Sequence, residues 1–156
     1  EKEKPSLMEN RIKLNAIGNI KELNENCYNK LCEVISQTAN NNELTLNLAI
    51  SYGSLQEISR AVRKISNKVK NNLISIKNID QKIINDHLYT RNLPPVDLLI
   101  RTGGEYRLSN FLLWQAAYAE LYFTDVLWPD FRKEDFFDAI VSFQNRERRF
   151  GKIKKN

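Results

Sequence analysis

Apolar and polar residues alternate over residues 11–17, "RIKLNAI", with Ile12, Leu14 and Ala16 in phase, until Gly18-Asn19 breaks the pattern. A period of two predicts a strand with one covered face. The same period returns in "LTLNLAI" (Leu44–Ile50) through Leu44, Leu46, Leu48 and Ile50. "VDLLI" (residues 96–100) follows Pro94-Pro95 and is almost wholly apolar, which predicts a strand covered on both faces. "ELYFT" (residues 120–124) is short, aromatic and stops before Trp128-Pro129. Between these runs the spacing changes to that of helices. Leu23, Cys27, Leu31, Val34, Ile35 and Thr38 share one helical face. Ile58, Ala61, Val62, Ile65 and Val69 share a second, and Phe136, Ile140, Val141 and Phe143 a third.

Strands alternating with helices predict an α/β fold, a parallel β-sheet flanked by helices. At 156 residues and 18.3 kDa the chain suits one domain spanning residues 1–156. No internal repeat is visible, and "RNLPPVD" (residues 91–97) is too short to join two domains. Ligands of parallel sheets bind beyond the carboxyl ends of the strands. Arg101 stands at such an end, and this directs attention to "RTGGEYRLSNFLLWQ" (residues 101–115), where charge meets a wall of Phe, Leu and Trp.

Thr102-Gly103-Gly104 predicts a turn whose backbone N–H groups can face an anion, with the Arg101 guanidinium beside it as a planar fork. Arg107 and Ser109 are close enough in sequence to converge on the same group. Ser109-Asn110 also resembles a helix N-cap before residues 111–115, which would aim a positive dipole end at the anion. The competing assignment pairs Arg101 with Glu105 or Asp97 and leaves Ser109 as a cap. Glu120 lies among apolar residues in "AAYAELYF" and needs a partner there, either Mg²⁺ or an arginine. "NRERRFG" (residues 145–151) reads as a solvated helix end closed by Gly151. His87, the only histidine, is expected to be structural or exposed, with no catalytic role.

Hydrophobic content of 42% and charged content of 28% exclude wholesale disorder. The net charge of +5 and pI near 9.2 favour an anionic partner: a phosphate ester, a nucleic acid or an acidic membrane. Lys152, Lys154 and Lys155 add solvated tail charge only. Nucleic acid is disfavoured, since "RNLPPVDLLIRTGGEYR" has neither a basic recognition helix nor a stacking platform. Cys27 and Cys32 are five apart and point in different directions on a helix, so buried reduced thiols are expected, as suits an intracellular protein. No run approaches the ~20 apolar residues of a membrane span, and the first residues show no signal-peptide pattern.

"PPVDLLIRTGGEYRLSNFLLWQAAYAELYFTDVLWPDF" (residues 94–131) resembles the long signature of the cis-prenyltransferases, the undecaprenyl and dehydrodolichyl diphosphate synthase group. The similarity continues through "NRERRFG" and, more weakly, back through "LTLNLAISYG". It implies an undecaprenyl diphosphate synthase-like fold and condensation of isopentenyl diphosphate with an allylic diphosphate, usually farnesyl diphosphate, using Mg²⁺. By the same resemblance Arg101 and the segment Arg107-Leu108-Ser109 hold isopentenyl diphosphate. Glu120 corresponds to a Mg²⁺-associated position. Arg149 and Gly151 match an Arg-x-Gly element that reaches the neighbouring subunit's site in a homodimer.

Two positions depart from the family pattern: Gly53-Ser54-Leu55 replaces a frequent Gly-Gly-Arg, and Tyr106 stands where some bacterial members have His. The Asp-Gly-Asn-x-Arg segment that supplies the family's catalytic aspartate is not found here. The chain therefore reads as the C-terminal portion of one such domain, the isopentenyl diphosphate half, with no catalytic residue of its own and no condensation activity alone. The alternative is a non-catalytic scaffold subunit of a heteromeric enzyme. A lipid product implies a location in the cytoplasm or peripheral to a membrane, that of the endoplasmic reticulum or an organelle in a eukaryote.

Overall fold

The computed structural model describes residues 2–147. Contacts divide the chain into two units at Leu93/Pro94, and each unit holds one pair of parallel strands. All four predicted strands form, joined as two pairs.

The first unit runs α1 (Lys4–Glu9), β1 (Ile12–Gly18), α2 (Glu25–Gln37), β2 (Leu44–Ile50), α3 (Ser54–Lys70) and α4 (Gln81–His87). β1 and β2 pair in register from Ile12↔Leu44 to Gly18↔Ile50, and α2 is the crossover between them. Asn24 starts α2 by accepting a hydrogen bond from the Cys27 N–H at 2.9 Å. Thr38 ends it, and its wholly buried hydroxyl accepts the Leu14 N–H at 3.0 Å, fastening the helix end to β1. Gly18 has φ +100, and a Cβ there would lie 2.1 Å from the Ile50 carbonyl oxygen, so only glycine allows this approach of the strands.

β1 buries Leu14 and Ile17, against which α1 and α2 pack. β2 departs from expectation. Its alternation does mark a strand, but Leu44, Leu46 and Leu48 are 59%, 42% and 38% exposed. The helices on this pair lie over β1, so the leucine face of β2 is left uncovered among the described residues. The thiols also differ from expectation: both are free, but Cys27 is exposed and Cys32 half-buried, because α2 shows that side to solvent.

The centre of this unit is polar. Glu57, 1% exposed, accepts the Tyr52 hydroxyl at 2.6 Å through Oε2 and the Tyr89 N–H at 2.5 Å through Oε1. One helical turn on, Arg60 donates to the His87 carbonyl at 2.9 Å and lies 3.8 Å over the Tyr89 ring. His87 is buried, with Nδ1 2.6 Å from the Ile83 carbonyl oxygen, as a structural histidine. These contacts lock α3 to α4 and to the segment after it. The hydrophobic pattern alone could not show α4, which carries only the adjacent Ile83 and Ile84; its signal is the Asp80 cap on the Ile83 N–H at 2.8 Å.

The second unit holds β3 (Leu98–Arg101), β4 (Glu120–Phe123) and α5 (Lys133–Gln144). The strands pair from Leu98↔Glu120 to Arg101↔Phe123, and α5 packs on β4 through a helix whose Ala139 is wholly buried. α5 begins where the Arg132 N–H donates to the Asp135 carboxylate at 2.7 Å. β3 starts two residues later than expected and buries only Leu99, so it is covered less completely than its composition suggests. Among the described residues no helix is long and apolar enough to cross a membrane.

Candidate functional site

β3 delivers Arg101 at its carboxyl end, where the chain turns through Gly103 (φ +87) and Gly104 (φ +71). These left-handed conformations suit glycine. Both glycine N–H groups of the turn are engaged within the protein. Gly103 donates to the Val126 carbonyl and Gly104 to that of Thr124, both at 2.9 Å. These two N–H groups of the expected backbone cradle instead fix the turn to the chain after β4, which turns attention to the side chains as the grip on an anion.

Two of those side chains, Arg101 and Ser109, do meet. Nη1 of Arg101 donates to the Ser109 hydroxyl at 2.9 Å and to the Arg107 carbonyl at 2.5 Å. Among the described residues, Nε and Nη2 of Arg101 make no further hydrogen bond, so part of the planar fork stays open to a ligand. Glu105, one of the two carboxylates expected as partners for Arg101, is instead taken by the Arg107 guanidinium in a half-exposed ion pair. Two arginines against one carboxylate leave this loop with a surplus positive charge. Leu108 is half-buried, and its carbonyl accepts the Phe111 N–H at 2.9 Å, closing the loop below Ser109.

The expected helix after Ser109-Asn110 does not form. Ser109, Asn110 and Leu112 have φ of +45, +64 and +48, a region closed to a right-handed helix, and residues 109–118 run as turns and bends. No helix dipole faces Arg101. Left-handed residues at Ser109 and Leu112 each cost about 1–2 kcal/mol, strain of the kind that gathers at ligand sites. Asparagine at position 110, which tolerates this region, was the one hint in the sequence. The Phe111–Trp114 wall is not core: Phe111 is 41% exposed and the next three residues are half-buried. Tyr106 is exposed, with its ring centroid 5.2 Å from that of Phe123 on β4.

Glu120 stands apart from this cluster. It opens β4 opposite Leu98, three residues before the pair formed by Arg101 and Phe123, a distance of about 10 Å along the strands. Its partner is an arginine. Arg146, just beyond α5, reaches Glu120 Oε2 at 3.0 Å and the Leu121 carbonyl at 2.8 Å. The "NRERRFG" segment thus has a structural use that the reading of a solvated helix end missed; three arginines following an apolar helix were its signal. Arg149 and Gly151 lie outside the described residues. Among the described residues no group of three or more His, Cys, Asp or Glu side chains is placed to hold a metal.

Residues 1–151 match the prenyltransferase family model described as "Putative undecaprenyl diphosphate synthase". The chain belongs to the undecaprenyl diphosphate synthase family. An isoprenyl transferase of Lactobacillus johnsonii is 49% identical over 96% of the chain and 64% of its own length. The farnesyl-diphosphate-specific ditrans,polycis-undecaprenyl-diphosphate synthase of Escherichia coli K12 is 47% identical over 97% of the chain and 60% of its own. Among solved structures, lavandulyl diphosphate synthase from Lavandula x intermedia, in complex with dimethylallyl diphosphate, superposes with a TM-score of 0.92 at 37% identity, covering 96% of this chain and 64% of that one. A probable undecaprenyl diphosphate synthase from Campylobacter jejuni gives 0.80 at 37% identity, covering 97% of this chain and 68% of that one. The α/β undecaprenyl diphosphate synthase-like fold expected from the sequence is therefore observed. The chain spans less than two thirds of the length of these bacterial and plant relatives, the Campylobacter protein excepted.

Proposed function

We propose that this chain carries the isopentenyl diphosphate-binding half of a cis-prenyltransferase, which condenses isopentenyl diphosphate with an allylic diphosphate such as farnesyl diphosphate into a long polyprenyl diphosphate. The observation that carries the reading is the contact of the Arg101 guanidinium with the Ser109 hydroxyl and the Arg107 carbonyl at the end of β3, in a family whose E. coli member is named for farnesyl diphosphate. Arg101 offers the open edge of its guanidinium to a diphosphate oxygen, and Ser109, already accepting from Arg101, offers its own O–H. Arg107 reaches the same diphosphate on leaving Glu105, and Leu108 sets the turn between them. Held by its diphosphate, the isopentenyl double bond is aligned for attack. A carbon–carbon bond forms at the allylic carbon, the allylic C–O bond breaks with loss of diphosphate, and a proton leaves the isopentenyl unit.

Mg²⁺ fits this scheme through Glu120, since the ion is ordinarily held by one or two carboxylates together with waters and phosphate oxygens. Glu120 supplies one carboxylate, on release from Arg146. The ion would neutralise charge on the departing diphosphate. Arg149 and Gly151 serve the neighbouring subunit's site in a homodimer, and the lipid product places the protein in the cytoplasm or at a membrane face. Residues 1–156 alone bind isopentenyl diphosphate without condensing it. Equilibrium dialysis with labelled isopentenyl diphosphate, followed by farnesyl diphosphate and Mg²⁺, tests both statements. Retained label with no elongated product is expected; no retention contradicts the binding site, and elongated product contradicts the half-site reading.

A further inference from the structure

Between the buried Glu57 and Asp80 the chain carries Arg60, Arg63, Lys64, Lys68, Lys70 and Lys77 and no acidic residue. That local charge of +6 exceeds the +5 of the whole chain. α3 concentrates it, because Arg60, Lys64 and Lys68 recur every four residues and rise along one side of the helix. Nearby acids are already engaged: Asp86 pairs with Lys82 at 2.8 Å, and Asp80 caps α4. The like charge of Arg60, then burial, then Arg91 and Lys68 push the Lys64 ammonium below its usual range, as crowding of cations requires.

The ridge ends in an apolar loop. α3 stops at Asn71, Asn72 turns with φ +57, and the chain then exposes Leu73 by 71% and Ile76 by 70%. Lys70 and Lys77, both exposed, flank these two side chains. Aliphatic side chains raised between lysines suit a bilayer interface, where hydrocarbon enters below anionic headgroups. They do not suit a nucleic acid, which would want exposed aromatic faces; the Tyr89 ring beside the ridge is covered by Arg60.

We infer that the Lys64 and Lys68 side of α3, with Lys70, Leu73 and Ile76 at its carboxyl end, docks this protein onto anionic lipid bilayers. The docking stands on this surface alone and not on the reaction proposed above, so vesicle binding and isopentenyl diphosphate binding fail separately. The test is co-sedimentation of the full chain with phosphatidylcholine vesicles that either lack phosphatidylglycerol or contain roughly one third of it. Binding to the anionic vesicles alone is expected, and the variant K64Q/K68Q/K70Q weakens it on the order of 100-fold. Leu73→Ser/Ile76→Ser, which keeps every charge, weakens it about 10-fold. Equal partition to both vesicle types, or unchanged binding by both variants, overturns the inference. Loss in the lysine variant with none in the Leu73/Ile76 variant, together with tighter binding to a single-stranded RNA oligomer, overturns it in favour of a polyanion surface.

Discussion

Glu57→Ala removes a carboxylate that is 1% exposed and holds two donors, the Tyr52 hydroxyl and the Tyr89 N–H. Each hydrogen bond to a charged acceptor contributes about 1.5–3 kcal/mol, and a donor left buried and unpaired costs about 1–3 kcal/mol. Part of this is offset, because the variant no longer buries a charge. The expected loss is about 3 kcal/mol, a large share of the ~5–15 kcal/mol that stabilises a typical domain. Glu57→Gln sharpens the argument. Its amide oxygen still accepts from Tyr89, but its NH₂ cannot accept from the Tyr52 hydroxyl, so about 1–2 kcal/mol is expected. Urea unfolding followed by far-UV circular dichroism, which senses α2 and α3, measures both through the midpoint at constant slope. A loss below ~1 kcal/mol in the alanine variant, or equal losses in the two variants, refutes the reasoning that Glu57 acts through paired donors.

Three further experiments probe the site. Gly104→Ala introduces a Cβ at φ +71, 3.1 Å from Asp125 Oδ1, and is expected to cost about 1–2 kcal/mol of stability, whereas Gly103→Ala, with nothing nearer than 4.0 Å, loses less; denaturant midpoints compare them. The Arg146–Glu120 pair is 36% and 26% exposed, so a double-mutant cycle with Arg146→Met and Glu120→Gln is expected to give a coupling of about 0.5–1 kcal/mol; a coupling near zero would show that the pair does not hold α5 to β4. Ser109→Ala removes one acceptor of Arg101 and one hydroxyl donor, and isopentenyl diphosphate affinity, measured by titration, is expected to fall about 5-fold.

Where the fold was legible, the reason was periodicity. Alternation in β1 and the helical spacing in α2, α3 and α5 reflect one-sided burial, which a sequence records directly, while the alternation in β2 marks a strand whose leucine face is exposed. α1 escaped because six residues beginning with Lys4-Pro5 contain too little apolar repeat, and α4 because its stability comes from the Asp80 cap and from His87 and Arg60 contacts across sequence. At the site, residue types indicated an anion grip at Arg101 and Ser109, which the geometry joins. The route of the backbone was hidden. Gly103 and Gly104 donate to residues 20 or more positions away, and three left-handed residues replace the expected helix; neither is encoded by spacing. The sequence offered Glu120 either Mg²⁺ or an arginine, and the arginine that the structure sets against it, Arg146, lies 26 residues away, beyond the reach of local spacing.

The central claim is that the Arg101 fork at the end of β3 binds isopentenyl diphosphate. Calorimetric titration of isopentenyl diphosphate into the chain and into Arg101→Ala and Arg101→Lys addresses it directly. Loss of two charge-assisted contacts, reduced by solvent at this half-buried position, amounts to about 2–3 kcal/mol, so affinity is expected to fall on the order of 100-fold in the alanine variant. Lysine keeps the charge without the fork and should recover only about 10-fold of it. Equal affinity in the wild type and both variants, with the fold intact by circular dichroism, would contradict the account.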